Sequence, residues 1–260
     1  MSLYTPKEIL SYVEKTSFEK RGLNFKKTII LGFIAGAYIA MGGLLSILIG
    51  YGFPEISAGN PGLQKFLTGA MFPVGLILVV VAGAELFTSN TAYFTPGALS
   101  GKHSLSVVLR SWVTVYASNF AGALFFSYFL IYLTGIVHYD PWHSSIIKLA
   151  EAKVSYPFLT VFLKGIGANW LVCLAIWLGI SAKDTTGKIL GIWWPVMCFV
   201  AIGYEHCIAN MFYVPLGIFE GANVSWTQFL LNSLLPSTLG NIVGGAFFVG
   251  TLYWYVYGRD

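Results

Sequence analysis

Eight long stretches of the chain contain no Asp, Glu, Lys or Arg: Thr28–Pro54, Phe66–Ala84, Leu86–Gly101, Ser111–Tyr139, Gly165–Ala182, Ile189–Tyr204, His206–Phe219 and Gly221–Gly258. A helix needs about 20 mainly apolar residues to cross the hydrocarbon core of a bilayer. The pattern predicts simple spans near residues 28–49, 108–135, 158–181 and 229–256. Two further regions, 65–98 and 188–217, are each about 30 residues long, and each is interrupted by one glutamate, Glu85 or Glu205. They are too long for one straight span and too short for two joined by a loop. Each reads as a broken span, two half-helices separated by irregular backbone, which is tolerated at membrane depth where it lines a cavity or is buried in protein. The expectation is an all-α membrane protein of six transmembrane spans, with spans two and five broken.

Composition agrees with a lipid-facing surface. Charged residues make up 10% of the chain, hydrophobic residues 56%, and the mean hydropathy is +0.71. A soluble domain carries about a quarter charged residues. The net charge of +4 gains meaning from placement, because six of the fifteen Lys and Arg residues precede position 28. This reads as a cytoplasmic flank and not as a nucleic-acid face. Thr5-Pro6-Lys7-Glu8 has the form of a capping box with Pro at the first helical position. It predicts a short amphipathic helix with Ile9, Leu10 and Val13 on one face. Residues 1–27 are thus expected to form a cytoplasmic N-terminal helix and basic flank, and 28–257 a transmembrane channel domain.

The loops set the orientation. With six spans both termini share a side, and that side holds eleven basic residues: the first six, Lys102, Arg110, Lys183, Lys188 and Arg259. The other side holds three, Lys65, Lys148 and Lys153. The excess puts both termini in the cytoplasm, in a cell (inner) membrane. Trp112, Trp142, Trp226 and Trp254 fall near span ends, as interfacial anchors do. Cys173, Cys198 and Cys207 all fall in apolar segments, and their odd count and spacing suit neither a disulfide framework nor zinc. They read as buried small residues.

The chain also repeats itself. Gly83-Ala84-Glu85-Leu86-Phe87-Thr88-Ser89-Asn90 aligns with Gly203-Tyr204-Glu205-His206-Cys207-Ile208-Ala209-Asn210 at an offset of 120 residues. Asn119-Phe120-Ala121-Gly122 matches Asn241-Ile242-Val243-Gly244 at an offset of 122. A duplicated unit of three spans is implied, about 28–135 and 157–257. Since three is odd, the second copy enters the membrane from the opposite side. Inverted repeats with Gly-interrupted segments at matching positions point to a pathway at the repeat interface near the midplane. Gly32-xxx-Gly36 and Gly240-xxx-Gly244 allow close helix packing, within or between subunits.

Phe72-Pro73-Val74-Gly75-Leu76-Ile77-Leu78, Gly83-Ala84-Glu85-Leu86-Phe87-Thr88, Asn169-Trp170-Leu171-Val172-Cys173-Leu174-Ala175 and Glu205-His206-Cys207-Ile208-Ala209-Asn210-Met211 resemble the signatures of the formate/nitrite transporter family. The similarity runs from the first span to the last. The resemblance implies a homo-pentamer of aquaporin-like protomers in the lipid bilayer, each passing small monovalent anions or their acids through its own pore. In the family pattern His206 is the central pore histidine, Thr88 and Asn210 are its polar companions, and Asn169 lies beside it. Phe72, Leu76, Leu86, Val172 and Phe199 form two apolar constrictions, and Lys153 lies in the outer vestibule. Ser89 stands where many members carry glycine. Formate, nitrite, hydrosulfide, lactate and acetate all fit the resemblance, with formate favoured. No cofactor and no metal is implied.

Read from the residues alone, these positions keep blander alternatives. His206, the only histidine in an expected span, suits either a satisfied core or a pathway, where its neutral pKa range makes proton exchange possible. Glu85 and Glu205 read as structural acceptors for backbone N–H groups freed at the breaks beside Gly83 and Gly203, and alternatively as proton carriers. Lys153 is by default a solvated lysine, and the role of Lys164 within the fourth span is open. Paired Asn-Pro-Ala motifs of a water channel are absent from the sequence, as are a phosphate-binding loop and a nucleophile–base constellation for an intramembrane enzyme.

Overall fold

In a computed structural model the structure describes residues 3–258. Arg259, counted above in the charge asymmetry, lies outside them. The first helix, α1 (Pro6–Arg21), is started by the expected capping box. The Thr5 backbone N–H donates to the Glu8 carboxylate at 2.7 Å, and the Glu8 backbone N–H donates back to the Thr5 hydroxyl at 3.4 Å. Its inward face carries Ile9, Leu10, Val13 and Ser17.

Six helices among the described residues are long and apolar enough to cross a membrane. The first repeat holds α2 (Phe25–Gly50), the broken pair α3 (Pro61–Val81) and α4 (Phe87–Leu99), and α5 (Leu105–Tyr132). After α6 (Trp142–Ser155) the second repeat holds α7 (Phe158–Ser181), the broken pair α8 (Thr185–Ile202) and α9 (Cys207–Phe219), and α10 (Trp226–Tyr257). With no water in hydrocarbon, each segment must satisfy its own backbone, and helices do so. The half-helices α4 and α9 form the centre, and residues 207–217 are buried without exception. α1 packs on α4 at one face of the molecule, and α6 packs on α9 at the other. The fold is therefore two inverted three-span repeats, an aquaporin-like protomer.

The small-residue motifs join helices within the chain. A methyl group built on Gly36 would lie 2.0 Å from the Asn119 carbonyl oxygen, and one on Gly122 would lie 1.8 Å from that of Phe33, so α2 and α5 touch backbone to backbone. In the second repeat, methyls on Gly240 and Gly244 would lie 2.1 and 2.3 Å from the Phe162 and Ile166 carbonyl oxygens of α7. One sequence expectation is corrected here. Cys173 and Cys207 are buried, but Cys198 is exposed, because it lies on the outward side of α8.

Candidate functional site

Both breaks are built the same way. Gly83 and Gly203 take φ of +79° and +85°, left-handed values at which glycine ends a helix without strain. The next N–H groups, of Ala84 and Tyr204, return to the carbonyls of Val79 and Phe199 at 2.8 and 3.0 Å. The backbone then runs without helical structure to residues 86 and 206, and a new helix begins.

The groups freed at each break are held by an asparagine from the third span of the same repeat. Asn119 accepts from the Phe87 N–H at 2.9 Å and donates to the carbonyls of Gly32 and Glu85 at 2.7 and 2.8 Å. Asn241 accepts from the Cys207 N–H at 2.8 Å and donates to the carbonyls of Gly165 and Glu205 at 2.8 and 2.9 Å. Each amide ties the first span, the break and the second half-helix together. Burying these polar groups unpaired would cost about 1–3 kcal/mol apiece.

That leaves the glutamates with different partners from those expected. Neither side chain takes a freed backbone N–H. Glu85 accepts from Lys20 Nζ at 2.6 Å and from the Asn90 amide at 2.9 Å. Glu205 accepts from Lys153 Nζ at 2.8 Å and from the Asn210 amide at 2.8 Å. The physical reason is competition: the asparagine reaches the backbone first, and a buried carboxylate is better matched by an ammonium. Lys153 is accordingly buried, with its Nζ 5.4 Å from the centre of the Tyr213 ring, and is not a solvated surface lysine. Lys20, on α1, is its counterpart in the first repeat, with its Nζ 5.1 Å from the Tyr93 ring centre.

Between the two ion pairs the half-helix N-termini meet. His206 is the N-cap of α9 in extended conformation, not a residue inside the helix. Its Nδ1 accepts from the Ala209 N–H at 3.2 Å, so the ring hydrogen of a neutral imidazole is assigned to Nε2. Nε2 lies 3.0 Å from the hydroxyl of Thr88, at the start of α4, and donates to it. The Thr88 hydroxyl hydrogen is then available to another acceptor. Each helix N-terminus carries partial positive charge, and here two converge on one point.

The other expected residues divide. Asn169 donates to the Thr88 carbonyl (3.2 Å), the Thr91 hydroxyl (3.0 Å) and the Asn241 carbonyl (2.6 Å), which braces the histidine's partner. Asn210 does not turn its amide to the imidazole; it donates to Glu205 and, at 3.0 Å, to Ser233. Phe72 and Phe199 meet edge to face at 5.8 Å, and Phe199 lies 5.8 Å from the His206 ring. Leu76, Leu86 and Val172 are fully buried.

Two cavities approach this centre from opposite faces. One of about 400 Å³, on the α6 face, is lined by Lys153, Lys164, Glu205 and Asn210, with Phe72, Phe199 and His206 among its walls. One of about 310 Å³, on the α1 face, is lined by Lys20, Val79, Gly83, Glu85, Ser89 and Tyr93. Leu76, Leu86 and Val172 line neither. Leu76 lies on α3 between Phe72, which lines the first cavity, and Val79, which lines the second.

Six spans in two inverted repeats, with half-helices meeting at a buried centre reached by cavities from both faces, define a multi-pass membrane transport protein. The chain matches the formate/nitrite transporter family over residues 7–255, and it belongs to that family. It is 49% identical to a probable formate transporter of Methanothermobacter thermautotrophicus, over 90% of each chain. It is 38% identical to a formate channel of Bacillus thuringiensis, over 100% of this chain and 98% of that one. Among solved structures it is similar to a family ion channel (TM-score 0.88, 30% identity, 96% and 98% of the two chains). It is also similar to a pentameric formate channel with formate bound (TM-score 0.77, 32% identity, 95% and 99%). These relatives are transporters and channels, not enzymes.

Proposed function

We propose that the chain is a pentameric channel for formate and similar small monovalent anions, with its termini in the cytoplasm and a proton accompanying each solute. The observation that carries this reading is the His206–Thr88 pair at the junction of two half-helix N-termini, 3.0 Å apart and fully buried. The names of the two relatives above, and the formate bound in the similar solved structure, favour formate over the other weak acids. The excess of basic residues on the side of α1 supports the orientation.

The steps follow from charge and dryness. An anion enters the α6-face cavity, where Lys153 and Lys164 supply positive charge. It reaches the Phe72–Phe199 ring, beyond which lie the Thr88 hydroxyl hydrogen, left free because the hydroxyl oxygen accepts the imidazole Nε2–H, and the N-terminal ends of α4 and α9. Carrying the charge further, through Leu76, Leu86 and Val172, costs at least about 2.5–3.5 kcal/mol, and a dry apolar ring excludes hydrated ions. A neutral acid avoids most of that cost. Because His206 Nδ1 is occupied as a helix cap, the proton reaches the solute through water from the entry cavity, and His206 with Thr88 orients the acid. Release past Glu85 and Lys20 is the mirror image.

The test is uptake into proteoliposomes of formate, nitrite, hydrosulfide, lactate and acetate at several pH values. Formate should enter well above the rate of empty liposomes, and faster as external pH falls. No formate flux above that background at any pH defeats the proposal.

A further inference from the structure

A third cavity, of about 300 Å³, lies beside the pathway between the end of α1, the start of α2 and the first turns of α5. Three cations line it, Lys20, Arg21 and Arg110, against one carboxylate, Glu85. That carboxylate is already engaged by Lys20 and Asn90. Among the described residues neither arginine has a carboxylate partner, and Arg21 donates only to the Lys102 carbonyl, at 3.3 Å. The cavity therefore holds excess positive charge with planar donors free to grip an anion. The Thr114 hydroxyl adds a neutral donor to the same wall.

The mouth tells which anion. Phe25, which lines the cavity, and Ile29, one turn further on, form an exposed apolar row on α2. A soluble anion gains nothing from that row. A molecule with a phosphate head and apolar tails uses both surfaces. We infer that this pocket takes the phosphate of an anionic phospholipid, held by Arg21 and Arg110, with its acyl chains along the α2 row. Arg–phosphate pairing is favoured by the fork of donors the guanidinium presents.

The site bears on the pathway because Lys20 and Glu85 line both this pocket and the α1-face cavity. Their ion pair is the partition between the two. A phosphate beside Lys20 competes with Glu85 for its ammonium, so the lipid composition of that leaflet sets how firmly the pair is closed. Binding can be measured without any flux, so this inference stands or falls apart from the proposed function.

The experiment is native mass spectrometry of the purified protein titrated with phosphatidylglycerol or phosphatidylcholine. Phosphatidylglycerol should be retained at lower concentration by wild type. Arg110→Ala and Arg21→Ala should each weaken its retention about fivefold, the factor that corresponds to about 1 kcal/mol per basic group near an anionic surface. Arg110→Lys should recover part of the loss, and phosphatidylcholine retention should not change. If Arg110→Ala does not fold, Arg21→Ala at the exposed end of α1 carries the test. Equal phosphatidylglycerol retention by wild type and the arginine variants overturns the inference. Displacement of the lipid by millimolar inorganic phosphate, but not by chloride of equal ionic strength, overturns the lipid assignment in favour of a soluble phosphate.

Discussion

Replacing Lys153 separates what its ion pair does for the fold from what it does for the solute. Lys153 Nζ and Glu205 are 2.8 Å apart, and their side chains are 11% and 4% exposed. At an effective dielectric constant near 20, two charges about 4 Å apart attract by about 4 kcal/mol. Lys153→Met keeps the volume but leaves Glu205 as a buried charge with one hydrogen bond, from Asn210. Breaking a buried pair in this way costs roughly 3–5 kcal/mol. At about 2–4 °C per kcal/mol for a chain of this size, unfolding in detergent should begin roughly 6–20 °C lower. The double variant Lys153→Met/Glu205→Gln removes the stranded charge, and its amide keeps an acceptor for Asn210. It should recover most of the lost stability. Formate uptake should stay slower than wild type in both variants, because Lys153 is gone from the α6-face cavity and Lys164 remains without it, and the deficit should shrink as salt screens the steering. A Lys153→Met protein as stable as wild type refutes the structural half of the argument. A double variant that transports at the wild-type rate refutes the other half.

Other outcomes follow from the same geometry. Thr88→Val removes the acceptor of the His206 Nε2–H and should slow formate uptake by tenfold or more, whereas Thr88→Ser should keep most of it; equal rates in all three proteins would discount the hydroxyl. Asn241→Ala strands the Cys207 N–H and the Glu205 carbonyl and unties them from Gly165 of α7. At about 1–3 kcal/mol each, it should yield little folded protein, and normal yield in size-exclusion chromatography would count against the clamp. His103 Nε2 lies 2.8 Å from the Ser17 hydroxyl of α1, under the Phe18 ring at 4.7 Å. Burial holds its pKa below the usual value of about 6.5, with Arg21 and Lys102 adding to the effect and Glu14 opposing it. The neutral ring is thus the docked form: its contribution to α1 docking is full above about pH 6.5 and lost as pH falls below it. Hydrogen-exchange protection of residues 6–21, corrected for the intrinsic slowing of exchange at lower pH, should fall between pH 7 and 5, and His103→Gln should flatten that response.

Much of this architecture was legible in the pattern of charges. Single glutamates inside apolar stretches marked both breaks, and the repeat at an offset of 120 paired Gly83, Glu85 and Asn90 with Gly203, Glu205 and Asn210. The asparagines Asn119 and Asn241 stood out as landmarks, but their work did not, because a buried amide's partners depend on which helices cross it. The role of Lys20 was missed for a more specific reason. It matches Lys153 at an offset of 133, the offset that also relates Gly32 to Gly165, and not at 120 or 122. Residues 51–60 join spans one and two, whereas only 182–184 join spans four and five, so the repeats drift out of register. Ser111 and Ser233, which accept from Asn90 and Asn210 at 3.4 and 3.0 Å, share the 122 offset and were within reach.

How the charge crosses the apolar layer is decided by what travels with the solute. The most direct measurement places the purified protein in a voltage-clamped bilayer, with a formate gradient and a pH probe on the side from which formate leaves. Passage as the neutral acid predicts that this side becomes alkaline as formate departs, with little current. His206→Phe should abolish that pH change. A full-sized anion current in the wild-type protein, with no accompanying proton movement, would contradict the account.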